Sequence, residues 1–272
     1  MDDTPEVDIT SSRNRWIKLA RSLHRRRTRY RERAILVEGV RPVSECLESG
    51  QSVQALLIAA SRVSDAEATK VAAIAAERSI STFVVDDEIL SSAADTETPQ
   101  GILAIVDMPT AEIPGELPEN PLVLIIDSVR DPGNLGTLLR SALGTGVDLI
   151  LIGPESVDPY APKVIRAGAG SHFRLPIAFL SWDGVPDVLK RCTLYVTQAD
   201  ADIDYVDVDW CSPAAVIVGN ETGGVSEAAI AHADGRVGIP LASKLESLNA
   251  GIAGSVILFE AWRQRRRRLL RA

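Results

Sequence analysis

Aromatic residues make up only 4% of this 272-residue sequence, and cysteine and methionine number three and two. An interior with so few rings must be aliphatic, and 46% hydrophobic residues can build a sizeable one. Cys46, Cys192 and Cys211 lie far apart, without a CxxC pair or a histidine at ligand spacing. This argues against a disulfide framework or a zinc site; it predicts free thiols in a reducing compartment and no metal. No apolar run reaches the roughly 18 residues that a membrane-spanning helix requires. The opening residues, MDDTPEVDIT, lack the basic and apolar regions of a secretion signal, so a cytoplasmic protein is expected.

The net charge of −8 conceals an uneven distribution. Residues 11–41 carry eleven Arg/Lys against Glu32 and Glu38, and residues 263–271 carry six Arg and no acid. Elsewhere 12 basic residues face 35 acidic ones. Basic ends on an acidic body resemble an electrostatic footprint for a polyanion, with nucleic acid first in line. Solvated helix faces are the competing explanation.

Residues 14–30 show a helical apolar repeat at Trp16, Ile17, Leu19, Ala20 and Leu23 among arginines. Strands are expected at 34–38, 53–60, 81–85 and 101–108, with helices at 40–49, 64–78 and 86–95 between them. Such alternation within about 75 residues indicates a small α/β domain. Residues 108–121 hold four prolines, three acids and a glycine, which suits neither helix nor central strand. The expected organisation is a basic extension at 1–30, an α/β domain at 31–108, a linker at 109–121 and a second domain at 122–272. The second domain alternates strands (122–127, 147–153, 192–197, 214–220) with helices, including an amphipathic one in WDGVPDVLKR. This order predicts a parallel α/β sheet with ligands beyond the carboxyl ends of its strands.

Three segments place polar groups at strand-to-helix junctions. In DSVRDPGNLGTLLRSA (127–142), Asn134 and Arg140 stand six residues apart, too far to share one helical face. Asn134 as an N-cap and Arg140 as a surface charge are the simpler roles. In VIVGNETGGVSEAAI (216–230), glycines after a strand let a backbone approach a ligand, but the pattern is neither GxGxxG nor a Walker loop. Glu221 there suits a ribose hydroxyl, a basic partner or a capping role. In IPLASKLESLNAGIAGSVILFE (239–260), Ser247, Leu248 and Asn249 open a helix whose Gly251 and Gly254 call for close approach by another backbone or a ligand.

Together the three segments resemble the SpoU (TrmH-like) group of RNA ribose 2′-O-methyltransferases, through DxxxDPGNxGxxxRxA, xVGxExxGxS and IPxxxxxxSLNxxxAxxI. The resemblance extends upstream through NRWIK, VEGVRPVSECL and TPQGILAIV, which look like a small RNA-binding domain of ribosomal-protein type. Gly251 and Gly254 depart from it, since larger residues are common there, and a looser final helix is one consequence. The resemblance implies a trefoil-knotted parallel-sheet α/β (SPOUT) domain that binds S-adenosyl-L-methionine and pairs as a homodimer. It implies cofactor contacts from Thr197, Gly219, Asn220, Ile239, Leu241, Leu248 and Asn249. Arg140 becomes the candidate for activating the ribose hydroxyl, with Asn134, Glu221, Ser247 and Asn249 ordering the site. Arg25, Arg26, Arg27 and Arg41 become candidate RNA contacts. The expected reaction is methyl transfer to a ribose 2′-hydroxyl of structured RNA, ribosomal rather than transfer RNA. A non-catalytic RNA-binding or assembly factor, a transfer-RNA enzyme and an antibiotic-resistance methyltransferase remain alternatives.

Overall fold

The computed structural model describes residues 6–109, 112–220, 223–242 and 247–271. By its internal contacts the chain forms two compact units, one with residues up to Pro109 plus Tyr160–Phe173 and one with the remainder.

The first unit contains α1 (Arg15–Ser22), α2 (Arg26–Glu32), β1 (Ala34–Glu38), α3 (Val40–Glu48), β2 (Val53–Ala59), α4 (Ala66–Glu77), β3 (Thr82–Val85), α5 (Asp87–Ser91) and β4 (Ile102–Asp107). Its sheet has the order β1-β4-β2-β3, with β4 antiparallel to both neighbours. The segment read as a basic extension is instead built into this unit. Ile17, Ala20 and Leu23 are buried in one cluster with Leu36, Leu57, Leu103 and Ile105, so the apolar stripe of a basic helix anchors it. Trp16 lies half-buried beside Phe83 at the edge of that cluster. The expected single helix breaks after Leu23, and Arg29 is buried while donating to the carbonyls of Leu23 and His24, both at 2.8 Å. Arg29 thus closes a turn, whereas Arg25, Arg26, Arg27 and Arg41 are exposed.

The second unit begins with β5 (Leu122–Ile126), α6 (Pro132–Thr145) and β6 (Leu149–Ile152). The chain then contributes α7 (Pro162–Ala167) to the first unit, where Tyr160, Ile165 and Phe173 join the core. It returns as β7 (Ile177–Phe179), β8 (Thr193–Thr197), β9 (Ile203–Asp204), β10 (Ala214–Val218), α8 (Glu227–His232), β11 (Gly235–Gly238) and α9 (Ala250–Leu269). All strands are parallel, in the order β7-β6-β5-β10-β8-β11-β9. The central strands β5, β6 and β10 are buried throughout, which accounts for their unbroken apolar runs. One expected helix is absent: WDGVPDVLKR forms two short 3₁₀ turns, Trp182–Gly184 and Asp187–Arg191. Pro186 lacks an amide hydrogen and holds Val185 extended, so no helix can run through it. The three cysteines are free thiols, and burial pushes the Cys46 thiol up to about 12.

Strand β10 enters between β5 and β8, and the chain then crosses to β11 on the far side of β8. Helix α9 lies against α6. Gly251 and Gly254 tighten that seam rather than loosen it. A Cβ on Gly254 would overlap Leu138 Cδ2 and reach within 3.0 Å of Val218 Cγ2. Ser141 and Ser255 share a 2.7 Å hydrogen bond across the same seam.

Two helix glycines therefore respond in opposite directions. Gly144, on α6, has open space apart from an ordinary 3.8 Å contact to Phe259, so Gly144→Ala should stabilise the fold by about 0.5–1 kcal/mol. Gly254→Val should cost about 2 kcal/mol through overpacking. Denaturant midpoints measure both, and equal shifts of one sign would contradict the packing.

Candidate active site

Strands β8, β10 and β11 are adjacent and end at the same edge of the sheet, where a topological switch favours ligand binding. Beyond their carboxyl ends lies a cavity of about 270 Å³, closed on one side by the start of α9. Its volume approaches the ~300 Å³ lower end of typical small-molecule sites. Thr197, Gly219, Asn220, Ile239, Leu241 and Leu248, all expected cofactor contacts, line it together with Ser247.

The loop after β10 owes its shape to glycine and to a buried carboxylate. Asn220 and Gly224 exchange backbone hydrogen bonds of 2.8 and 2.9 Å, folding the loop back on itself. A Cβ on Gly219 would overlap the Gly224 carbonyl and lie 2.5 Å from the Val225 nitrogen, so only glycine fits. Asn220 Nδ2 donates to the Ser128 carbonyl at 3.0 Å. At the loop's far end, Asp127 accepts from the Ser226 amide (2.6 Å), the Ser226 hydroxyl (3.2 Å) and the Trp182 indole (2.9 Å). Asp127 is only 1% exposed, and these three donors offset the cost of burying it. The first segment thereby holds the second.

The first and third segments are joined more directly. Asp131, not Asn134, caps α6, accepting from the Asn134 amide at 2.8 Å. This frees the Asn134 side chain, whose Oδ1 accepts from Asn249 Nδ2 at 2.8 Å. Asn249 Oδ1 in turn caps α9 by accepting from the Ile252 amide at 3.1 Å. Gly251 leaves room for this pair, since a Cβ there would sit 3.2 Å from both side-chain oxygens. Neither asparagine lines the cavity; their bond holds Ser247 and Leu248 at its wall.

Arg140 is exposed on α6, outside the cavity lining, with no hydrogen bond or ion pair to the described residues. Glu221 lies outside the described residues. Lining residues that sequence reasoning missed include Gln198, Asp200, Gly238, Ala253 and Ile257. Gln198 and Gly238 sit next to positions that were identified, and their strand-end placement was the available signal. Ala253 and Ile257 follow from the helical spacing after Asn249, whereas Asp200 carries no local signal. Among the described residues, no three His, Cys, Asp or Glu side chains are grouped to hold a metal ion.

The sequence profile of the SpoU rRNA Methylase family matches residues 121–259. The chain belongs to that family. A second profile, the MRM3-like substrate binding domain, matches residues 14–104. The chain is 31% identical to the 23S rRNA (guanosine(2553)-2'-O)-methyltransferase RlmP of Bacillus subtilis (strain 168), over 92% of this chain and 97% of the relative. It is similar to the AdoMet-bound rRNA methyltransferase from Sinorhizobium meliloti, with a TM-score of 0.81 and 29% identity over 94% of this chain and 97% of the other. It is also similar to the SpoU methyltransferase AviRb from Streptomyces viridochromogenes in complex with AdoMet: TM-score 0.79, 31% identity, 93% of this chain and 100% of the other.

S-adenosylmethionine fits the cavity of this SpoU chain on its own chemistry. Val218, Val237, Leu248, Ala253 and Ile257 supply an apolar wall for a purine, and the Asp200 carboxylate lines the same cavity and suits a cationic group.

Asn249→Asp keeps the cap on α9 but replaces an amide donor with a carboxylate facing Asn134 Oδ1. It should weaken S-adenosylmethionine binding about tenfold in calorimetry; unchanged affinity would show that the bond does not order the site. Gly219→Ala should abolish measurable cofactor binding while far-ultraviolet dichroism stays close to wild type. Retained binding would mean that the loop has room the geometry denies.

Proposed function

We infer that the protein transfers a methyl group from S-adenosylmethionine to the 2′-hydroxyl of a ribose in ribosomal RNA. The observation that carries this reading is the convergence of three distant segments of a SpoU chain on one cavity. Bound S-adenosylmethionine supplies a sulfonium methyl group, a good electrophile. The protein's part is placement. Gly219 admits the ligand close to the backbone, while Thr197, Asn220, Ile239, Leu241 and Leu248 surround it and Asn249 braces the wall. Orienting two reactants in this way is worth roughly 7–11 kcal/mol of barrier.

A ribose hydroxyl is a poor nucleophile until its proton is drawn off. A guanidinium offers donors and no acceptor, so Arg140 does not take that proton, which leaves to solvent water. Its guanidinium holds a phosphate and stabilises the alkoxide that develops on the ribose oxygen, a contribution of about 10²–10³ in rate. Asn134, Glu221, Ser247 and Asn249 order the surrounding groups.

Arg140 reaches a cavity, in this reading, in a homodimer, where it serves the neighbouring subunit. Supporting this, Arg140 shares its face of α6 with exposed Leu143, and the adjacent α9 exposes Ile252, Phe259 and Trp262. Leu258, by contrast, is fully buried in its own subunit. A trefoil knot around the loops after β10 and β11 accords with the crossing of the chain over β8. Arg25, Arg26, Arg27 and Arg41 contact the RNA from the first unit, and the protein works in the cytoplasm.

The test is transfer of labelled methyl groups to total RNA from a strain lacking the protein, followed by mapping of the modified ribose. Wild type should label one ribose in ribosomal RNA. Arg140→Ala should lower kcat at least 100-fold with cofactor affinity within threefold of wild type. A fully active Arg140→Lys, with a flat rate from neutral to strongly alkaline pH, would remove any special role for the guanidinium.

A further inference from the structure

The six arginines at the end of the chain read as one basic run, but the structure divides them. Arg265 is half-buried and donates to the carbonyls of Trp210 (2.7 Å), Asn120 (2.7 Å), Pro121 (3.1 Å) and Ser212 (3.3 Å). It is a structural clamp. Arg263 forms a two-pronged pair with Glu260, both bonds at 2.6 Å. Arg266, Arg267, Arg268 and Arg271 are exposed, with no ion pair to the described residues.

Three of them, Arg267, Arg268 and Arg271, line a groove of about 460 Å³ together with Arg263, Gln264 and Cys211, and no carboxylate. Positions 263, 267 and 271 succeed one another at one-turn intervals, so their guanidinium groups form a row along one side of α9. Glu260 is engaged by Arg263 and Gln264 and also attracts Arg267, and Asp209 is engaged by the Cys211 amide and the Ser212 hydroxyl. Arg266 instead lies 5.1 Å over the Trp262 ring. Complementing the negative end of a helix dipole accounts for one or two basic residues in a last turn, not for an acid-free groove ringed by four.

We propose that this groove binds the phosphate backbone of the substrate RNA, as a second contact besides the first unit. Planar guanidinium forks match phosphate oxygens in pairs, and the row contains arginine without lysine. Helix α9 is 20 residues long, about 30 Å, and its first turn lines the cofactor cavity. The groove therefore grips RNA that flanks the modified nucleotide, not the nucleotide itself. This rests on the RNA-methyltransferase reading above.

The experiment compares the full chain with a variant carrying Arg267→Gln, Arg268→Gln and Arg271→Gln, and with the corresponding three Arg→Lys changes. The probe is deproteinised ribosomal RNA from a strain lacking the protein, titrated across a salt series. The glutamine variant should bind RNA at least tenfold more weakly at low salt. Its slope of log affinity against log salt should be shallower by about 2, as three lost phosphate contacts require. Cofactor affinity and melting temperature should not change, and the lysine variant should recover most of the slope. Unchanged RNA affinity and slope would overturn the proposal. So would loss of binding to phosphatidylglycerol vesicles with RNA binding intact, since Leu269 and Leu270 are also exposed there. If wild type methylates no RNA yet binds it through these arginines, the functional reading fails and this one stands. If wild type methylates RNA and the glutamine variant keeps its KM for RNA, only this inference fails.

Discussion

The close seating of α9 on α6 and β10 is the constraint from which the site follows. At Gly254 no side chain can be inserted without displacing Leu138 and Val218, and at Gly251 the space is taken by two asparagine side chains. Because the helices meet this closely, Asn134 and Asn249 come within one hydrogen bond of each other across 115 residues of sequence. That bond and the helix cap made by the same asparagine set where α9 begins. Where α9 begins sets where Ser247 and Leu248 stand at the cavity wall. A glycine that costs about 1 kcal/mol in helix propensity is tolerated here because it permits contacts worth more.

A second fixed point lies just past the end of β5. Asp127 ends a central buried strand and draws together an indole, a hydroxyl and an amide from two other segments. A buried carboxylate is stable only when its oxygens are satisfied, and the requirement is mutual: its donors would be equally orphaned without it. Asn220 and Gly224 are thus held by their backbone pairing, and Ser226 by Asp127. Preorganisation of this kind lets a chain with few charged groups at its cavity place a reaction that needs geometry above all.

Much of the fold was legible from local pattern. Apolar runs marked β5, β6 and β10, and the three junction segments pointed to the edge of the sheet where the cavity lies, but α6 begins at Pro132, three residues before the expected start near Leu135. What local pattern could not carry was long-range. An offset of six between Asn134 and Arg140 says nothing of Asn249, and Asn134 looked like a cap because Asp131 offers the same chemistry three residues earlier. The glycines of α9 looked like a weakness until their neighbours were in view. In residues 14–30 the apolar stripe was legible and buries Ile17 and Leu23, but nothing local marked the break after Leu23. Along RQRRRR nothing local separates Arg265, committed to backbone carbonyls, from the exposed arginines beside it. Asp200 had no motif at all.

We propose that the α6–α9 contact organises the cavity beyond β8, β10 and β11 through one asparagine pair. The most direct test is the S-adenosylmethionine dissociation constant of wild type, Asn134→Ala, Asn249→Ala and the double variant, measured by calorimetry. Residues that act through one bond give strongly non-additive losses, with coupling of about 0.5–3 kcal/mol. The account predicts that the double variant binds no more weakly than the worse single variant. Fully additive losses, or wild-type affinity in all four proteins, would contradict it.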